Sequence, residues 1–174
     1  MSVYELGSDR PALGRGAWVA PTAAVVGDVV IGDESSIWYG VVVRGDCFPI
    51  RIGARTNVQD NAVIHVTEGK SRTILGDDVT IGHAAIVHGC TVGNLCLVGM
   101  GAIVLDDAVV GTESFVAAGS LVPPRMQIPP RSFVIGRPAR VQRPIRDTEL
   151  EQIREAARHY VAYAKRHATS LNRI

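Results

Sequence analysis

The sequence predicts an all-β solenoid, a parallel β-helix of six-residue repeats, with one C-terminal α-helix packed on it. Two regularities carry this expectation. From Val19 an aliphatic residue recurs every six positions, at Val25, Ile31, Ile37 and Val43, then at Ile52, Val58 and Ile64, at Leu75, Ile81 and Val87, and from Val92 through Val98, Val104, Val110 and Val116 to Val122. Two positions before each stands a small residue, such as Ala23, Ser35, Ala62, Ala85, Cys96 or Ser120. Offsets of two and six are both even, so on extended strands the large and small residues face the same side. Glycine often follows the aliphatic, as at Gly32, Gly53, Gly76, Gly93 and Gly111, where the backbone turns without a side-chain penalty. Short strands that each bury one large and one small residue cannot hold a core alone, so copies must stack. About six coils fit between residues 17 and 122.

The rest of the chain fits around that repeat. With 174 residues, 47% hydrophobic and 20% charged, it can bury one substantial core. A formal net charge of +1 leaves no electrostatic footprint for nucleic acid. The opening MSVYELGSDRP lacks the apolar stretch of a signal peptide, and no run reaches the ~18 apolar residues of a membrane span. A cytoplasmic protein with no membrane contact is expected. Cys47, Cys90 and Cys96 lack CxxC spacing, against a disulfide framework or a cysteine-based zinc site. Cys90 and Cys96 fall on small inward positions.

After the repeat, PPRMQIPPRSFVIGRPARVQRP is rich in Pro and Arg and predicts an extended return strand or loop. Thr148 and Glu151 then form a capping-box pair, and Leu150, Ile153, Ala157, Tyr160, Val161 and Ala164 fall on one stripe of a helix from about 148 to 169. Its charged face, with Arg154, Glu155, Arg158 and Lys165, is expected in solvent. The division is therefore residues 1–144 for the solenoid with its N-terminal segment and return strand, and 145–174 for the docked helix.

Stacking the repeat in threes puts Ile37, Val58 and Ile81 in one column, Val43, Ile64 and Val87 in the next, and Ile52, Leu75 and Val92 in the third. The residues just after the second column are Arg44, His65 and His88. They project from one corner of consecutive coils, roughly 5 Å apart per step, so His65 and His88 can reach one metal ion. His83 cannot easily join them within a chain, because five extended residues set it about 16 Å back along the strand from His88. It belongs to another corner, which a threefold assembly would bring against the His65/His88 corner of a neighbour. Neutral imidazoles in threes suit zinc, and also iron(II) or cobalt(II), with a position left for water. The repeat also lengthens between Val43 and Ile52 and between Ile64 and Leu75, so GDCFPIR and VTEGKSRT should bulge beside this corner and wall a pocket.

Arg44 and Asp46 in VVVRGDCFPI, Asn57, Gln59 and Asp60 in TNVQDNAVIH, and the histidines of IHV and IGHAAIVHGC resemble the γ-class carbonic anhydrases, over nearly the whole chain. The resemblance implies a left-handed β-helix of triangular section with three hexapeptides per coil. It further implies a homotrimer in which His65, His83 and His88 hold zinc at the subunit interface. Arg44 and Asp60 would form an intersubunit ion pair, Gln59 would contact the metal-bound water, Asn57 would take another active-site position, and Asp46 a structural one. The implied reaction is reversible hydration of carbon dioxide to bicarbonate by a metal-bound hydroxide. The family prototype exports its proton through a long acidic loop. Here that loop is short, with Cys47 directly after Asp46, and Glu68 is the nearby candidate; Tyr160 is a further residue within possible reach.

Three alternatives stand beside that expectation. The same solenoid carries acyltransferases, and GRPAR resembles the segment after their coils. A metal-activated water would also hydrolyse an acyl-CoA thioester. The trimer could also bind metal without appreciable carbonic anhydrase activity. His159 and His167, on the helix, are expected to be structural.

Overall fold

The computed structural model describes residues 2–172. The repeat forms a parallel β-solenoid of about seven turns, followed by a single C-terminal helix. All three predicted columns pair in the expected register: Ile37 with Val58 and Val58 with Ile81, Val43 with Ile64 and Ile64 with Val87, Ile52 with Leu75 and Leu75 with Val92. The aliphatic residues of these columns are at most 2% exposed, and Ala23, Val41, Ala62, Ala85 and Ala102 between them are fully buried. Cys90 and Cys96 lie in this core, as expected.

The solenoid runs further than the sequence reading allowed. Ile128 pairs with Val110 and Val134 with Val116, so the six-residue register continues through the proline-rich segment. Only then does the chain reverse, with strand Ser132–Gly136 pairing antiparallel to Ala139–Pro144. Proline lacks an N–H, and in earlier coils the residue after the inward aliphatic donates its N–H to the next coil, but strands Leu121–Val122 and Gln127–Ile128 end the sheet, so Pro123 and Pro129 leave no ladder bond unmade.

The glycines after the third column do something other than turn. Gly32, Gly53, Gly76 and Gly93 have no positive φ; that conformation falls two residues later, at Glu34, Arg55, Asp78 and Leu95. What excludes a side chain is the next coil. A Cβ on Gly53 would stand 2.5 Å from the Gly76 carbonyl carbon and oxygen, and one on Gly32 would stand 2.5 Å from the Gly53 carbonyl carbon. The first column adds a tie to this corner: Ser35 Oγ donates to the Gly53 carbonyl at 2.6 Å, Thr56 Oγ1 to Gly76 at 2.7 Å and Cys96 Sγ to Gly111 at 3.2 Å. Buried carbonyls that face no ladder partner are thus satisfied by the small polar residues of the neighbouring face.

Of the two lengthened repeats, one is absorbed rather than looped out. Strand Val42–Ile52 is continuous and runs beside Ala24–Ile31, with the register shifting between Gly27 and Val29 to take up the extra residues around Asp46 to Pro49. The other forms a loop, closed by a bridge between Thr67 and Ser71 and held onto the next coil by Thr67 Oγ1 to Asp106 and Ser71 Oγ to Asp107, both at 2.7 Å. Together they flank a groove of about 400 Å³ lined by Phe48, Lys70, Arg72 and Thr91.

The helix spans Asp147–Ser170 and buries Leu150, Ile153, Ala157 and Ala164. It packs across the first-column face, against strands Trp18–Val19 to Thr80–Ile81. Its start is set by Glu149 rather than by Thr148 and Glu151: the N-cap is Arg146, whose N–H donates to Glu149 Oε2 at 2.8 Å. Lys165 is tied to Glu34 at 2.6 Å, so the outer face is not wholly free in solvent. Among the described residues no helix is long and apolar enough to cross a membrane.

Candidate metal centre

His65 and His88 end strands Val63–His65 and Ile86–His88 and pair in register, as the column stacking requires. Thr73 supports both from behind, donating to the His65 carbonyl at 2.6 Å and accepting from the Gly89 N–H at 2.9 Å. Each imidazole has one nitrogen on a carboxylate: His65 Nε2 lies 3.1 Å from Asp46 Oδ1, and His88 Nδ1 lies 2.6 Å from Asp106 Oδ1. An ionised carboxylate only accepts, so those nitrogens carry the protons of the neutral rings. The other two nitrogens, His65 Nδ1 and His88 Nε2, then present lone pairs to each other at 3.1 Å. Two lone pairs at that distance repel unless a shared proton or a metal ion lies between them. Two imidazoles on one tetrahedral metal, with bonds of about 2.0–2.1 Å, have nitrogens roughly 3.3 Å apart. The pair therefore fits a metal ion in both donor type and spacing.

The carboxylates are themselves held. Burial opposes ionisation of Asp106, but hydrogen bonds from Thr67 and His88 outweigh it and keep the carboxyl below its ordinary range. Burial also opposes Asp46, and contacts from Arg44 and His65 outweigh it in the same way. Asp106 was not singled out from the sequence. Its signal was there, two positions after Val104 on the next coil of the same corner, but nothing in the repeat distinguished it from any other corner aspartate.

The remaining residues fall into two groups. Arg44 and Asp46 stand with His65 and His88; Arg44 pairs with Asp46 and is not joined to Asp60 within the chain. His83 lies beyond Ile81 on the first-column corner, where its Nδ1 is 2.9 Å from Asp60 Oδ2. It is the most exposed of the three histidines, at 43% of its side chain against 18% and 29% for His65 and His88. Gln59 and Asn57 belong to this second group and are buried: Gln59 Nε2 donates to Asn57 Oδ1 at 3.1 Å, and Asn57 Nδ2 to Thr80 Oγ1 at 2.9 Å. Tyr160 packs edge-on against Trp38; burial, then the Asp60 charge, raises its pKa. Glu68 is exposed on its loop. His167 sits among Trp18, Trp38 and Tyr39, bonded to the Tyr39 hydroxyl at 2.9 Å, in keeping with a structural role.

Comparison with known proteins agrees with the fold. Residues 11–45 match the family model "Bacterial transferase hexapeptide (six repeats)". A Bacillus cereus crystal structure described as an acetyltransferase superposes with a TM-score of 0.94 at 37% identity, covering 97% of this chain and 98% of that one. An Anaplasma phagocytophilum hexapeptide transferase family protein gives 0.88 at 40% identity, over 92% and 95%. The mitochondrial gamma carbonic anhydrase 2 of Arabidopsis thaliana is 46% identical over 97% of this chain and 62% of its own length. The chain belongs to the hexapeptide-repeat family, and within it is similar in sequence to γ-class carbonic anhydrases. It spans between 34% and 62% of the length of the three plant carbonic anhydrases it matches. Within this hexapeptide-repeat framework the two groups of site residues occupy different corners of the solenoid, and neither corner alone gathers all three histidines.

Proposed function

We propose that the chain is a cytoplasmic, zinc-dependent γ-carbonic anhydrase-like enzyme that interconverts carbon dioxide and bicarbonate as a homotrimer. The observation that carries this reading is the pair of converging lone pairs on His65 and His88, each fixed by a carboxylate behind it. In the assembly, His65 and His88 of one subunit and His83 of the next would hold the ion, which supplies Lewis acidity that makes water nucleophilic at neutral pH. Asp46 and Asp106 fix the tautomers. Gln59, oriented by Asn57, would present its amide to the reacting water from the His83 side, and Arg44 and Asp60 would tie the two corners together across the interface. Glu68, on a mobile-length side chain at the loop, would pass the released proton to solvent. Iron(II) or cobalt(II) fits the same three donors.

The test is carbon dioxide hydration by stopped flow on protein of measured metal content, loaded in turn with zinc, cobalt and anaerobic iron. Activity should follow occupancy and vanish in His88→Ala; full occupancy without hydration would leave thioester hydrolysis or a non-catalytic metal-binding trimer. The Bacillus cereus neighbour favours a second reading, acyl transfer. Acetyl-CoA-dependent acetylation that persists after the metal is stripped would move the assignment there.

A further inference from the structure

The Nε2 side of His65 faces a second set of donors that do not ligate the ion of the three-histidine centre. Asp46, Cys47 and His65 each offer one ligand atom, and all three atoms lie within 4.8 Å of one another. Arg44 occupies Asp46 Oδ2, which leaves Oδ1 aimed at His65. Burial first, then the charges of Asp46 and Glu68, raise the Cys47 thiol's pKa while Arg44 opposes them; a divalent cation in place of the thiol proton would offset both carboxylates. Thiolate, carboxylate and imidazole together select a soft or borderline metal over magnesium or calcium.

We propose that Asp46, Cys47 and His65 form a second metal site, for a thiophilic divalent ion, that is mutually exclusive with the histidine centre. The exclusion follows from one ring. A neutral imidazole has a single lone pair, so His65 can serve only one of the two positions at a time. With the ion between His65 and His88, Nδ1 is the ligand and the Nε2 proton rests on Asp46. With the ion at Cys47, Nε2 is the ligand, the proton moves to Nδ1, and it donates to His88 Nε2 across the same 3.1 Å. His88 keeps its own proton on Asp106, so this second state leaves no ring nitrogen unpartnered. The sulfur releases its proton to the buffer as the metal–thiolate bond forms. A soft ion would thus inhibit by taking the His65 lone pair and leaving a proton, instead of the metal, between His65 and His88. The inference shares His65, and Asp46 as the carboxylate behind it, with the proposed centre.

The probe is cadmium added to the metal-stripped full chain, read by ultraviolet thiolate-to-metal absorption and by bound metal. Wild type should show the absorption, Cys47→Ser should lose it, and His88→Ala should keep it. Absence of the absorption in the cadmium-loaded wild type, or its survival in Cys47→Ser, would overturn the second site. If the absorption is present and Cys47→Ser binds no cadmium at all, the second site stands and it is the histidine centre that fails.

Discussion

Gly53 and His65 occupy the same position of the repeat, each directly after an inward aliphatic residue, yet they answer to different demands. Behind Gly53 the next coil's carbonyl comes within 2.5 Å of where a Cβ would be, and a hydroxyl from the adjacent face pins that carbonyl. Behind His65 the strand runs one residue further, His88 lies in register above it, and both side chains point outward to carboxylates. One corner of the prism is closed by backbone contact and tolerates nothing. The other is opened by longer strands, and there the fold has room for side chains whose identity it does not dictate. Chemistry collects where the scaffold makes no steric demand.

The largest expected effect separates the two corners by metal. Zinc binds three- to four-ligand sites with about 10–16 kcal/mol, so losing one histidine should cost about 3–4 kcal/mol of affinity. His65→Ala and His88→Ala should therefore lose bound metal after dialysis while keeping wild-type circular dichroism and the urea midpoint of metal-stripped wild type. His83→Ala should lose metal equally if the ion is shared between subunits; a full complement in that variant would break the shared site and leave the His65/His88 corner on its own.

The converse substitution is Gly53→Ala. An added methyl against rigid backbone forces the coils apart, and about 3 kcal/mol of destabilisation is expected, with the metal content of the folded fraction unchanged. Urea unfolding monitored beside metal analysis checks both halves. Equal stability for Gly53→Ala and wild type would show that the corner is softer than its 2.5 Å contacts require.

Much of this difference was legible beforehand. The period of six and its small partners gave the solenoid, its columns and the register of His65 with His88, because stacking in a β-helix leaves little freedom once the repeat is in phase. The glycines were found but their purpose was misread, since sequence records that a side chain is missing and not whether φ or a neighbouring coil forbids it. The last turn, through Ile128 and Val134, was hidden by prolines that follow the end strands of the sheet, where no further coil needs their N–H. Asp106 escaped because a carboxylate behind a histidine is defined by a distance across coils. Glu149 was passed over for Glu151 because either could cap a helix, and only Arg143 and the Arg146 N–H decide between them.

Asp106 gives a smaller effect that sharpens the account of the open corner. Asn in its place keeps the shape but lets the amide offer its N–H to His88 Nδ1, freeing the ring to invert its tautomer. Loss of such an orienting carboxylate typically lowers metal affinity 10–100-fold. Asp106→Asn should fall in that range by competition with a chelator, between wild type and His88→Ala. Affinity equal to wild type would mean that strand register alone orients His88.

The smallest effect lies away from both corners and calibrates them. Arg143 makes two hydrogen bonds to Glu149, at 2.6 and 2.8 Å, and these, against the opposing effect of burial, bring the Glu149 carboxyl down to about 2. A carboxyl whose pKa is lower in the folded state stabilises the fold above its unfolded value of about 4.5, and that contribution disappears as pH falls from there to about 2. Because the pair is near the surface and screened by solvent, about 1 kcal/mol is expected rather than the full linkage value. Glu149→Gln should thus be less stable than wild type by that amount at pH 7, and the two should converge near pH 2, read by urea unfolding at several pH values. A gap that persists undiminished at low pH would show that it does not come from the Glu149 charge, because both side chains are then neutral and either can accept the Arg146 N–H.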